Sequence, residues 1–402
     1  MLHRCSTLSP RMTSTFARCS LPWLAVCTLL GIARAQTPAG EGVEPITALR
    51  AAVVQTHTAR CHALYSECLA EAKAMQTAIA AMLREPSVAS LATARAAWTK
   101  ARFAYCRTET LRFCDGPIEP LEPLLNAWPV DEAYIDYVQG NATAGIVHDR
   151  EHFPQLSQTV LTVANERSGE ANISVGWHAI EFLLWGQDLR VDGAGDRPFT
   201  DYVVGKGPDA DRRREYLTCV TDLLVQHLQT LVTEWAPGAN NYRRRFEADD
   251  KEAIRRMLTG ALVLTAFELA GERLAVAYET KDQEQEHSCF SDTSCQDFVA
   301  DQLGIVQMFQ AGADETKQPG LLALIAAKDA PLARSLHQQL ESTLARMRAI
   351  PSPFDVAMRG ADDSPGRLAI RAAMDALDAQ AELLAIAGQA FGFELPVHPG
   401  GR

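Results

Sequence analysis

Between Gly176 and Gly186 an imidazole and a carboxylate, His178 and Glu181, stand three residues apart in an otherwise apolar run of Trp, Ala, Ile, Phe and Leu. On a helix that spacing puts both groups on one face, about one turn apart, where both could address a single ion. Burying the pair among apolar side chains is costly without compensation, and a bound cation would supply it. The alternative is a satisfied core pair, with the two groups bonded to each other or to a neighbouring helix. Two donors fall short of a protein metal site, which usually takes three or more protein or water ligands. A mixed nitrogen and carboxylate set suits iron or zinc better than calcium, whose sites are built from oxygens.

Further groups of this kind lie downstream. Glu268, Glu272 and Arg273 interrupt the apolar run from Met257 to Ala277, with the two glutamates one turn apart and the arginine able to neutralise one of them or to clamp an anion. A buried structural salt bridge is the competing reading. The acidic stretch Asp282 to Glu286 leads into His287 and Ser288, which could add donors. A zinc hydrolase would also need an open coordination position, a general base and groups that stabilise an oxyanion. No His-Glu-x-x-His occurs, and there is neither a nucleophile elbow nor a glycine-rich phosphate loop.

The elements that must carry these residues are helical. Leu64, Cys68, Met75, Ile79 and Met82 form one stripe, and Leu91, Ala94, Trp98, Ala101 and Tyr105 its partner. Leu332, Leu336, Leu340, Leu344 and Met347 form a third, and a heptad-like series runs from Ile370 to Phe391. Period-two alternation is nearly absent, so the chain reads as all-α, in helical bundles. Its length exceeds one ordinary core, and the Asp192 to Pro198 stretch breaks the pattern, which places a boundary near residue 205 between a bundle over 45–205 and another over 206–395.

An antiparallel hairpin of residues 45–83 and 88–113, turning at Glu85-Pro86-Ser87, would set Cys68 opposite Cys106 and Cys61 opposite Cys114, two disulfide rungs. Cys289 and Cys295 would close a small loop, leaving Cys219 unpaired; two free thiols are the alternative for that last pair.

Residues 1–35 read as a secretory signal: Arg4, Arg11 and Arg18 precede the apolar run Leu21 to Ala33, and Ala33-Arg34-Ala35 offers a cleavage site. The run is too short for a permanent span, and Leu24-Ala25-Val26-Cys27 is a poor lipid-attachment box. An oxidising compartment agrees with the expected disulfides. The formal charge is −12, and loss of residues 1–35 removes four of the 38 basic residues and none of the 50 acidic ones, giving −16. So acidic a chain is a poor partner for nucleic acid or anionic lipid.

The Gly176 to Glu181 stretch resembles the Gly-x-His-x-x-Glu motif of the imelysin family, and the stretches Asn126 to Tyr137 and Asp282 to Asp292 resemble family blocks on either side of it. With Thr108-Glu109 and Gly271-Glu272-Arg273, the resemblance runs from about residue 45 to the end of the chain. The chain departs from the pattern at Thr293-Ser294-Cys295-Gln296, where the family usually has Asn-Thr-His-Arg, so no role of that histidine carries over. The resemblance implies two helical bundles with the motif near their interface, and an exported protein of the periplasm or outer envelope that binds a metal ion, iron above all, for iron acquisition or handling, with a possible envelope transport partner. It implies Glu109 as third ligand beside His178 and Glu181, with Glu272, Arg273, His287, Ser288 and Asp136 around the cleft. Two alternatives stay open: a zinc-dependent metallopeptidase on the same residues, and a non-catalytic binder of haem or a protein partner.

Overall fold

The first helix, α1 (Val43–Arg84), is long because its buried side chains recur at helical spacing without interruption, through Val54, Cys61, Tyr65, Cys68, Ala72, Met75, Ile79 and Met82. It stops before Pro86. Ser87 then caps α2 (Val88–Cys106) by a reciprocal box, its hydroxyl accepting from the Ser90 amide at 3.1 Å while the Ser90 hydroxyl accepts from the Ser87 amide at 2.9 Å. The computed structural model describes residues 43–190, 192–314 and 317–396. The expected signal segment lies outside the described residues.

Five further long helices follow: α3 (Gly176–Trp185), α4 (Ala210–Trp235), α5 (Asp250–Val263), α6 (Ser294–Phe309) and α7 (Ala330–Arg348), with α8 (Pro365–Ala390) closing the chain. The fold is all-α, and the described residues contain no strand, only an isolated bridge between Val138 and Asn141. α5 runs straight into a π-helix, Leu264–Ala275, whose hydrogen bonds reach five residues back. α1 packs along α2 and α4, and α3 is wedged against α2 and α4 with all ten of its residues buried. α6, α7, α8 and the π-helix pack on one another, and α6 also lies on α2. α4 begins after residue 205 yet packs with α1, so in contact terms it belongs with the first group of helices.

Two glycines permit the close approaches that build the site. Gly304 of α6 faces the Arg107 carbonyl, 2.4 Å from where a Cβ would stand. Gly176 begins α3 at φ +90°, and a Cβ there would lie 2.6 Å from the Leu125 carbonyl oxygen.

The expected cysteine ladder is not formed: Cys61, Cys68, Cys106, Cys114, Cys219, Cys289 and Cys295 are all free thiols. α2 ends at Cys106 rather than near residue 113, and the chain passes into a short 3₁₀ turn, Glu109–Leu111, which leaves Cys114 in the neighbourhood of Cys61 but unbonded to it. The Cys114 thiol donates instead to the carbonyls of Leu111 and Arg112, at 3.0 and 3.1 Å, and Cys61 lies 3.3 Å from His57 Nε2. Cys106 sits among the charges of Arg102, Asp297 and Asp301. The Cys295 thiol faces the Pro351 carbonyl at 3.6 Å instead of Cys289.

Gly176→Ala should destabilise the protein by roughly 2–4 kcal/mol, combining a disfavoured backbone with a backbone clash. Chemical denaturation measures this; an unchanged midpoint would show that α3 does not need this approach to Leu125.

Candidate functional site: a buried arginine between two histidines

One turn of α3 sets His178 and Glu181 side by side, with Nδ1 to Oε2 at 2.8 Å and both side chains wholly buried. The other carboxylate oxygen of Glu181 accepts from the Ser291 amide at 3.0 Å and the Ser291 hydroxyl at 2.6 Å, and that hydroxyl lies 2.8 Å from the one on Thr293. Trp128 meets the His178 ring edge-on, centroids 4.7 Å apart, as a packed corner beside Phe290.

The far side of His178 faces a residue that the sequence reading passed over. Arg102 is completely buried on α2, four residues after Trp98 and on the same face. Its Nη2 lies 3.3 Å from His178 Nε2 and 3.1 Å from His287 Nε2, its Nε is 3.3 Å from Asp297 Oδ2, and its Nη1 donates to the Asn126 side chain. A guanidinium has only donors, so both Nε2 atoms must accept and both imidazoles carry their proton on Nδ1. His178 therefore donates to Glu181, while His287 turns Nδ1 toward Asp297 at 3.5 Å. Ser288 completes the set by donating to Asp297 Oδ2 at 2.6 Å.

Burial and the neighbouring guanidiniums push both histidines well below the usual imidazole range. Burial works against the charge on Arg102 as well, but the neighbouring acidic groups, Asp297 and Glu109 among them, outweigh it and keep the guanidinium ionised. Burial also lifts the Glu181 carboxyl to about 8, against the pull of Ser291 and Arg102.

The remaining expected residues fall into two other places. Glu109 is held by Arg112 at 2.9 Å and by Arg273, which also grips Asp301 at 2.7 Å. Burial opposes its ionisation, yet Arg112 and Arg273 hold its carboxyl down at about 2. Glu109 is thus an ion-pair partner rather than a third donor beside His178. Asp136 belongs to a separate network, bonded to Arg197 at 2.7 Å, to Arg213 at 2.6 and 2.9 Å, and 3.2 Å from His148. Among the described residues no three or more His, Cys, Asp or Glu side chains are arranged to hold a metal.

His287, Glu272 and Arg273 meet at an open cavity of about 340 Å³. Four carboxylates line it, Glu122, Glu166, Glu268 and Glu272, against the two guanidiniums of Arg112 and Arg273. Its formal balance is two negative charges, with Glu122 paired to Arg112 at 3.1 Å and Glu268 beside Arg273 and Arg112 at 3.5 and 3.8 Å. The π-helix supplies Glu268, Glu272 and Arg273 together. In the departing stretch, Ser294 donates to Glu286 at 3.0 Å and accepts from the Ser288 amide at 3.1 Å, tying the His287 loop to α6.

Residues 61–384 match the sequence profile of the family described as Imelysin, peptidase family M75. The chain is 24% identical over 332 residues, 80% of each protein, to Iron-regulated protein A of Synechococcus elongatus. Its fold is that of a crystal structure assigned as an iron-regulated protein A precursor from Parabacteroides distasonis, with a TM-score of 0.68 at 19% identity, covering 88% of this chain and 97% of that one.

Arg102→Met should cost about 3–5 kcal/mol by stranding Asp297, and Arg102→Met with Asp297→Asn should recover part of it. A double-variant loss equal to the sum of the two single-variant losses, by urea denaturation, would show the pair to be uncoupled. A second outcome concerns pH. The folded Glu181 carboxyl titrates above its unfolded value, so its contribution is fully present below about 4.5 and is lost as pH rises through about 8. Relative to Glu181→Gln, the wild type should lose more than about 1 kcal/mol between pH 6 and 8; a pH-independent difference would mean that the carboxyl is ionised throughout.

Proposed function

We propose, since the chain belongs to the imelysin family, that it is an exported iron-binding protein that takes iron as cargo in the acidic cavity beside His287 and hands it to an envelope partner. The observation that carries this reading is the cavity itself: four carboxylates outnumber two guanidiniums in an open pocket of about 340 Å³. Such an excess of hard oxygen donors attracts cations, and the kinship of the chain is what makes iron the cation proposed. The basic and then apolar residues 1–35, ending in Ala33-Arg34-Ala35, support export. The Synechococcus relative is itself named for regulation by iron.

In this reading His178 and Glu181 act on Arg102 instead of on the ion. His178 Nε2 is aimed at the guanidinium and Glu181 has both oxygens engaged, so neither offers a free lone-pair direction to a metal without rearrangement. The same geometry weighs against zinc peptidase chemistry at His178, which would need an open coordination position reachable by substrate. Arg273 and Arg112 set the floor of the cavity by fixing Glu109 beneath it and leaning on Glu268, at 3.5 and 3.8 Å.

Metal-free protein titrated with iron in a calorimeter should take up about one ion, and Glu268→Gln with Glu272→Gln should weaken uptake by at least about tenfold, while His178→Ala changes it far less. The reverse ranking would return the ion to the His178 motif. Zinc-dependent cleavage of a peptide library, abolished by His178→Ala, would replace the binding reading with the peptidase one.

A further inference from the structure

At the opposite end of α3 from His178 lies a second cavity, of about 350 Å³, with walls formed by Tyr137, Trp185, Leu189 and Pro198. Arg197 lines it and is itself buried, its side chain only 1% exposed. One corner of the guanidinium is committed: Nη1 donates to Asp136 at 2.7 Å and to Asp201 at 3.2 Å. The other edge is not. Nε and Nη2, the parallel pair of donors that grips a carboxylate side-on, are buried and have no partner.

The surroundings hold that edge in a fixed plane. The guanidinium lies over the rings of Tyr137 and Phe182, 4.8 and 5.3 Å from their centroids, which sets its plane. Gly186, at φ +72°, stands beside it, and a Cβ there would come within 3.3 Å of Arg197 Cβ and 3.6 Å of Nε. The bare glycine leaves the space beside Nε free of a side chain.

Charge narrows the ligand. Asp136 and Asp201 already balance Arg197 and Arg213, and at the rim Arg190 pairs with Asp192 at 3.5 Å, so a dianion such as phosphate would bury two uncompensated negative charges where a monocarboxylate buries one. A single carboxylate on an apolar body satisfies both the free donor edge and the walls.

We propose that this cavity binds a small apolar monocarboxylate, held side-on by Nε and Nη2 of Arg197 with its body against Trp185, Tyr137 and Leu189. A free acid and the last residue of a peptide carry the same chemistry, and a pocket of this size takes either.

The full-chain protein is titrated with 3-phenylpropionate and with 3-phenylpropionamide, and in a second arm with acetyl-Gly-Phe bearing a free or an amidated C-terminus, binding being read by calorimetry. The acid of at least one arm should bind saturably, with its amide weaker by roughly tenfold or more, and the arm that binds tighter identifies the source. Leu189 is 59% exposed at the rim, so Leu189→Asp should leave the melting temperature unchanged while weakening the acid by a similar factor. Absence of saturable binding up to about 10 mM in both arms, a Kd far weaker than a formed pocket should give, overturns the proposal. So does equal binding of acid and amide, a comparison that needs no variant and is therefore decisive even where a substitution disturbs the fold.

Discussion

A guanidinium without access to water must be satisfied wholly by protein, and in this chain Arg102 sets that demand. Its partners come from four separate stretches: Asn126 from the end of the short helix Glu122–Leu125, His178 from α3, His287 from the loop before α6, and Asp297 from α6 itself. None of these can dock correctly without the others. The glycines at 176 and 304 let α3 and α6 come near enough to reach the charge, and Ser288, Ser291 and Ser294 tie down the loop that presents His287. The same network explains why an imidazole and a carboxylate sit in an otherwise apolar helix: Glu181 fixes the tautomer of His178, and the tautomer turns a lone pair toward Arg102.

From that centre the charges are arranged outward in order. Next to the Arg102 cluster is the Glu109, Arg273 and Asp301 set, buried and mutually paired, and beyond it the half-exposed Glu268 and Glu122 at the open cavity. Carboxylates therefore become freer toward solvent, while cations are fixed inside. A cavity built this way carries its excess negative charge at its mouth and keeps its interior charges paired.

Much of the fold was legible because periodicity reports burial directly. The stripes of α1, α2, α7 and α8 fall where their apolar spacing puts them, and Pro86 with Ser87 marks the hairpin turn. The pairing of His178 with Glu181 was legible for the same reason, as a consequence of three-residue spacing. Arg102 was missed, although its signal was present: it lies four residues after Trp98, on the face that must be buried, where an unpaired charge requires partners. Its partners could not be read, since they are distant in sequence and meet only in the packed structure. The place of Glu109 was not legible, because α2 ends at Cys106 and the 3₁₀ turn swings Glu109 toward Arg273, a partner distant in sequence. The cysteine ladder is not formed because facing positions in a hairpin do not by themselves turn two thiols toward each other.

The central claim is that a fixed guanidinium occupies the place between the two histidines and that iron belongs in the cavity outside it. Anomalous diffraction at the iron edge from crystals loaded with iron tests this most directly. The account predicts a single peak among Glu268, Glu272 and their neighbours, with Arg102 still in contact with His178 and His287. A peak within bonding distance of His178 and His287, with Arg102 displaced, would contradict it.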